Sequence, residues 1–238
     1  MRLLIITAVL SSLIACLHLL FPALSHSIAN NLPANWIRSA SEQMLGTLNQ
    51  NLLVQSRIQH AGFEQLRARF GDLTAPPEGA PPYRLMLGKG RSPGTQILGL
   101  PSGGIIVSEE FLRQVPQLDK QIALLCVELG HIQLRHSLVN AVERRLLRLG
   151  SAALIGSEQS SIDALSAGLA HADYPAVQLI AADRYAQSML HANGFPRTLL
   201  IQALEQAPDN TSPAQFQPSA ERHRQYLQQR IKALQAQR

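Results

Sequence analysis

Glu128, His131 and His136 lie close together in the stretch Val127–His136, V-E-L-G-H-I-Q-L-R-H. A glutamate three residues before a histidine is half of a hydrolytic metal site. In the pattern H-E-x-x-H, two imidazoles one helical turn apart hold zinc, and the glutamate takes a proton from the metal-bound water. Glu128 and His131 keep that register here, but the first imidazole position is Val127, which has no lone pair to donate. His131 and His136, five apart, are separated by roughly 140° around an ideal helix and do not converge on it. Without a metal, Glu128 and His131 form an i,i+3 ion pair, and His136 is a hydrogen-bonded structural histidine.

These residues need a helix to position them. Asp119 is a suitable cap, and Ile122, Leu125, Leu129 and Ile132 recur as a buried stripe, leaving Glu128, His131 and Arg135 on another face. Val139–Leu149 continues as a helix. Upstream, the four prolines of Thr74–Pro82 exclude helix and central strand. Tyr83–Leu87, Gln96–Leu100 and Gly103–Ser108 read as three strands, with Gly88–Gly94 as a turn. Ser108-Glu109-Glu110 resembles a helix start with acids in its first turn, and Phe111 and Leu112 face the core. Leu32–Phe70 is helical by its leucine spacing, with interruptions expected at Gly46 and Ala61-Gly62. Downstream, Ser151–Ala170 is a helix broken at Gly156. Tyr174–Leu190 is a helix opened by Pro175 and closed by Asn193-Gly194-Phe195-Pro196. Beyond it come a short helix Thr198–Gln206, a polar loop Ala207–Gln217 and a basic amphipathic helix Pro218–Gln237. The expected class is α+β, mostly helical, with a small sheet packed on the motif helix.

The net charge of +5 comes from 18 Arg and 3 Lys, scattered without a dense basic run or interleaved aromatics, so nucleic-acid binding is not expected. Leu3–Phe21 is apolar, behind Arg2, and Pro22 ends it. Its length is close to the roughly 20 residues that span a bilayer, and Ala23-Leu24-Ser25 offers a small-x-small cleavage site. Leu13-Ile14-Ala15-Cys16 also resembles a lipoprotein box. Residues 1–27 are therefore a signal peptide, a retained anchor or a lipidated leader, each of which exports the rest of the chain. Residues 28–75 form a helical segment, 76–206 the main domain, and 207–238 a loop and C-terminal helix. The second cysteine, Cys126, sits between Leu125 and Val127 as a small buried hydrophobe.

Four stretches carry a family resemblance. Leu100–Val107, L-P-S-G-G-I-I-V, resembles L-P-G-G-x-I-x-V. Val127–His136 resembles H-E-L-G-H-x-x-x-R-H. Tyr174–Asp183, Y-P-A-V-Q-L-I-A-A-D, aligns on Y-S-R-E-Q-E-x-E-A-D, and Gln217–Arg222 resembles H-P-S-x-x-R. The chain thus resembles the gluzincin metallopeptidases that include the type I CAAX prenyl proteases, the heat-shock protease HtpX and soluble periplasmic relatives. The resemblance spans about Leu85–Arg222 and implies a zincin-like domain.

It also implies roles. Glu128 is the vestigial general base and His131 the only retained zinc ligand, with Val127 and Leu179 at the two lost ligand positions. Gly103, Gly104 and Ile105 belong to an edge strand that pairs with substrate. His136, Asp183, Gln217 and Arg222 support the site, with Gln217 replacing a histidine. Aliphatic residues at two of three ligand positions imply that no cofactor is bound. The expected protein is an inactive pseudopeptidase, periplasmic or anchored facing the periplasm, with a polypeptide or envelope-protein partner. Residues 3–21 supply its membrane association. The competing readings are an active zinc endopeptidase of envelope protein quality control, in which zinc is bound, and a structural subunit docking through its C-terminal helix.

Overall fold

The computed structural model describes residues 20, 23–51, 53–55, 61–90, 97–149, 162–163, 165–166, 174–207 and 220–236. The apolar run Leu3–Phe21, except Leu20, lies outside them, as do Gln217 and most of Ser151–Ala170. After a helical stretch over 23–31, the elements are α1 (Ala34–Asn51), β1 (Leu53–Gln55), α2 (Ala61–Gly71), β2 (Arg84–Gly90), β3 (Ile97–Gly99) and β4 (Gly104–Ser108). Then come α3 (Glu109–Gln114), α4 (Leu118–Gln133), α5 (His136–Leu149), α6 (Ala176–Ala192), α7 (Thr198–Gln206) and α8 (Ala220–Gln235). The class is α+β and mostly helical, as expected. No single described helix is long and apolar enough to cross a membrane.

One mixed sheet runs in the order β1-β2-β4-β3, with β2 and β4 parallel and the outer pairs antiparallel. Side chains on a strand alternate between faces, and that alternation divides the interior. Leu85, Ile97, Ile105 and Val107 point into one core with α2, α3, α4, α6 and α7. Leu98, Ile106 and Met86 point into a second core with Ala29, α1 and the start of α5. Both faces of the sheet are therefore covered by helices, and α4 and α5 serve opposite cores.

Several elements form for the local reasons read from the sequence. The Ser108 hydroxyl caps α3 by accepting the Phe111 N–H at 3.0 Å, and Phe111 and Leu112 are buried. Ile122, Leu125, Leu129 and Ile132 of α4 are all buried. Helix α6 closes with the paired bonds of a Schellman motif: Gly194 N–H to His191 O at 3.1 Å and Phe195 N–H to Leu190 O at 3.0 Å.

Four expectations are corrected. Leu32–Phe70 is not continuously helical, because Leu53–Gln55 leaves the helix to pair with Gly88–Gly90 as a fourth strand. The same pairing turns Gly88–Gly90, expected as part of a turn, into the end of β2. Ala61-Gly62 opens α2 rather than interrupting a longer helix. The residue capping α4 is Gln117, and Asp119 sits inside the first turn, where its charge still favours the helix N-terminus.

Helices α4 and α6 approach closely at one point. A Cβ on Gly130 would stand 2.8 Å from Ala182 O and 3.1 Å from Ala182 Cα. Only a glycine at position 130 permits that spacing to the α6 backbone. This contact sets the height of α6 beside the motif helix.

Candidate functional site

Helix α4 does not run on past its motif. Leu134 donates its N–H to Gly130 O, and Arg135 donates its own to Ile132 O. Arg135 adopts a left-handed φ of +54°, which non-glycine residues rarely do. The axis then turns by 50° between α4 and the His136–Arg144 part of α5. The Arg135 guanidinium leaves the motif face and donates from Nη1 to Ala29 O at 2.9 Å and Asn30 O at 3.3 Å. These carbonyls end the helical stretch over 23–31, where a cation is favoured. Arg135 therefore does not lie beside Glu128 and His131 as the helical reading expected.

The break overturns a second expectation. His136 folds back on His131, and their Nδ1 atoms are 3.0 Å apart with the rings edge to face. One Nδ1 carries the proton and donates it to the other. Both rings are buried. Burial, with His136 next in weight, holds the His131 pKa well below the ordinary histidine value. Burial and then His26 lower that of His136 to about 4. Both imidazoles are neutral near pH 7.

Tyr174 closes the pair from above. Its ring stacks on His131 with centroids 3.8 Å apart and planes inclined by 23°, and its hydroxyl shares a hydrogen bond with Ser137. Burial and the neighbouring Glu128 push the phenol pKa up. Nearby, Asn140 and Gln178 exchange two amide hydrogen bonds, at 2.9 and 2.7 Å, which tie α5 to the first turn of α6.

Glu128 turns to the sheet rather than to His131. Its Oε2 accepts the Gly99 N–H at 3.2 Å, so among the described residues its hydrogen-bond partner is a strand. Burial raises its pKa to about 7, against the opposing pull of the Gly99 N–H and then Arg230. Asp183, almost fully buried, receives a bidentate pair from Arg230 at 2.7 and 2.8 Å.

The resemblance-derived residues therefore fare differently. Val127 is buried in the main core. Leu179 is half-buried in the first turn of α6. His136 is a direct partner of His131. Asp183 is a buried anchor whose cation is Arg230; Arg222 lies on the same helix α8. Gln217 is outside the described residues. The strand expected at the edge, with Gly103, Gly104 and Ile105, is instead internal: β4 is paired on both sides, by β2 and β3. The edge strand on that side is β3, and α4 covers it, since a Cβ on Gly99 would stand 3.1 Å from Glu128 Oε2 and 3.3 Å from Ile132. Cys126 is buried and burial raises its thiol pKa, so it packs as a hydrophobe.

The donor set does not fit zinc. Among the described residues, no three His, Cys, Asp or Glu side chains gather to hold a metal. Of the three positions that the resemblance marks as ligands, only His131 carries a donor, and its Nδ1 is hydrogen-bonded to His136. Sequence reasoning missed Tyr174, Ser137, Gly99 and Arg230. Tyr174 opens the Tyr174–Asp183 stretch and could have been singled out, whereas the other three meet the site only through tertiary packing.

No protein-family model matches the chain, and no curated protein matches it in sequence.

Proposed function

We propose that this chain is an exported, zincin-like pseudopeptidase that binds a polypeptide or envelope-protein partner without cutting it. The observation that carries the reading is the pair of aliphatic side chains, Val127 and Leu179, at two of the three positions that the resemblance marks as ligands. Val127 is packed in the main core, and the imidazole of His131, the one remaining donor, is hydrogen-bonded through Nδ1 to His136 and stacked under Tyr174. A hydrolytic zinc needs three protein donors and an open position for water. The scaffold features of the resemblance persist alongside that loss: Gly130 against Ala182, and Asp183 in its ion pair. Export rests on the apolar run Leu3–Phe21.

The test is metal content together with proteolysis. The purified protein is expected to carry no stoichiometric zinc and to leave casein intact with or without chelator. Chelator-sensitive cleavage would establish the competing reading, an active endopeptidase. The subunit reading would place docking on α8. That helix is engaged by the fold through Arg230 and the buried Leu234, so removing Pro218–Arg238 would disturb the core as well as any docking.

A further inference from the structure

The Pro101–Gly103 turn is pressed against the proline-rich connector. Gly103 has φ +94°, and a Cβ there would stand 2.2 Å from Pro82 O. Two cavities flank this turn, of about 360 and 560 Å³. Arg38, Pro82, Ser102 and Gly103 line both, so the two cavities adjoin on either side of the turn and together outline a groove. Helix α1 makes one wall and Pro81-Pro82 the other. Apolar side chains, among them Ile37, Met86, Leu100 and Leu138, line its length.

The charged groups in the groove are unbalanced. Arg38, Arg84 and Glu42 face the first cavity, and Arg38 and Arg135 the second. Arg135 is already committed to the Ala29 and Asn30 carbonyls. The ion pairs Glu64–Arg67, Glu110–Arg113 and Asp183–Arg230 do not involve Arg38 or Arg84. The guanidinium of Arg84 has only the Met86 sulfur, at 3.8 Å, among the described side chains. Two guanidinium forks therefore stand in the groove against one carboxylate. A planar guanidinium is the group best matched to bidentate carboxylate binding.

We infer that this groove binds an extended polypeptide segment that presents a carboxylate to Arg38 and Arg84. The inference rests on the reading of the chain as a polypeptide binder, and it places the site away from the His131 cluster. Pairing of a peptide with β4, the strand that follows this turn, is not the mode, because β4 is internal between β2 and β3. An elongated apolar channel with Pro81, Pro82 and Pro101 in its walls suits a chain rather than a compact anion. The carboxylate is that of an acidic side chain, and a free C-terminus is the alternative that the test separates.

The test is fluorescence anisotropy on the full chain with labelled octapeptides of alternating Val and Glu. They are used with a free C-terminus, with an amidated C-terminus, and as the amidated Val–Gln counterpart. The Glu peptides are expected to bind and the neutral one to bind at least about tenfold more weakly, the scale of a charge-assisted contact. Arg38→Glu and Arg84→Glu are each expected to weaken the Glu peptides by a similar factor. Arg38→Gln and Arg84→Gln give the same test if charge reversal unfolds the protein. Loss of binding on amidation assigns the C-terminal carboxylate; persistence assigns the side chains. Absence of binding, or equal binding by the neutral peptide or by folded arginine variants, overturns the inference. Zinc-dependent cleavage would instead overturn the pseudopeptidase reading and leave the arginine dependence standing.

Discussion

The Nδ1 atoms of His131 and His136 stand 3.0 Å apart, although the two residues begin on helices bent 50° from each other. The left-handed Arg135 between them makes the approach possible, and its bonds to the Ala29 and Asn30 carbonyls hold it there. Where the motif pattern calls for a metal, the fold has a neutral imidazole pair under a tyrosine.

His136→Ala is expected to destabilise the protein by about 1–3 kcal/mol, since it leaves the buried His131 nitrogen without its partner. Tyr174→Phe keeps the stacked ring and every partner of His131, losing only the hydrogen bond with Ser137, and is expected to cost less than His136→Ala. Urea unfolding of both variants checks the order. Equal stability of His136→Ala and the parent would show that the pair carries no structural weight.

Stability is expected to peak near pH 6.5. The Glu128 carboxyl rises from 4.5 unfolded to about 7 folded, so its contribution is full below 4.5 and is lost as pH rises through 7. His136 falls from 6.5 unfolded to about 4 folded, so its contribution is full above 6.5 and is lost as pH falls toward 4. His131 is lowered too and acts in the same direction as His136. Two histidine contributions outweigh the one carboxyl between 4.5 and 6.5, and above 6.5 the carboxyl acts alone. Denaturation midpoints across this range report the curve, and Glu128→Gln is expected to remove the decline on its alkaline side.

Breaking the Asp183–Arg230 pair leaves a buried charge. Arg230→Ala is expected to cost about 3–5 kcal/mol. Replacing both partners with apolar residues of similar volume is expected to cost less than that single change. A thermal melt that leaves Arg230→Ala at the parental midpoint would contradict the buried pairing.

Gly130→Ala places a methyl 2.8 Å from Ala182 O, against backbone that cannot swing aside. The expected cost is about 1–3 kcal/mol, the usual range for overpacking. Gly46→Ala, which meets nothing within 4 Å, is the control and is expected to be neutral or stabilising, because alanine is the better helix former. Thermal melts of the two variants check the contrast.

What was legible in the sequence was local. The Ser108 cap, the Ile122–Ile132 stripe, the Gly194 stop and the bounds of α7 depend on residues a few positions apart, and the structure repeats them. Non-local pairings were not legible. Leu53–Gln55 is a strand only because Gly88–Gly90 lies beside it, and β4 is internal only because β3 folds back on its outer side. At the site, helical geometry correctly placed Glu128 and His131 on α4. It failed at His136 because one left-handed residue, Arg135, resets the angular relation. Tyr174 and Arg230 reach the site from other parts of the chain, and periodicity within α4 carries no trace of them.

Whether the pseudopeptidase reading stands is decided by native zinc stoichiometry, measured by mass spectrometry on protein purified without chelator. With aliphatic Val127 and Leu179 at two of the positions that the resemblance marks as ligands, far less than one zinc per chain is expected. Val127→His with Leu179→Glu is the companion measurement: it supplies the missing donors and is expected to raise uptake over the parent. Near-stoichiometric zinc in the unmodified protein, removed by chelator, would contradict that reading.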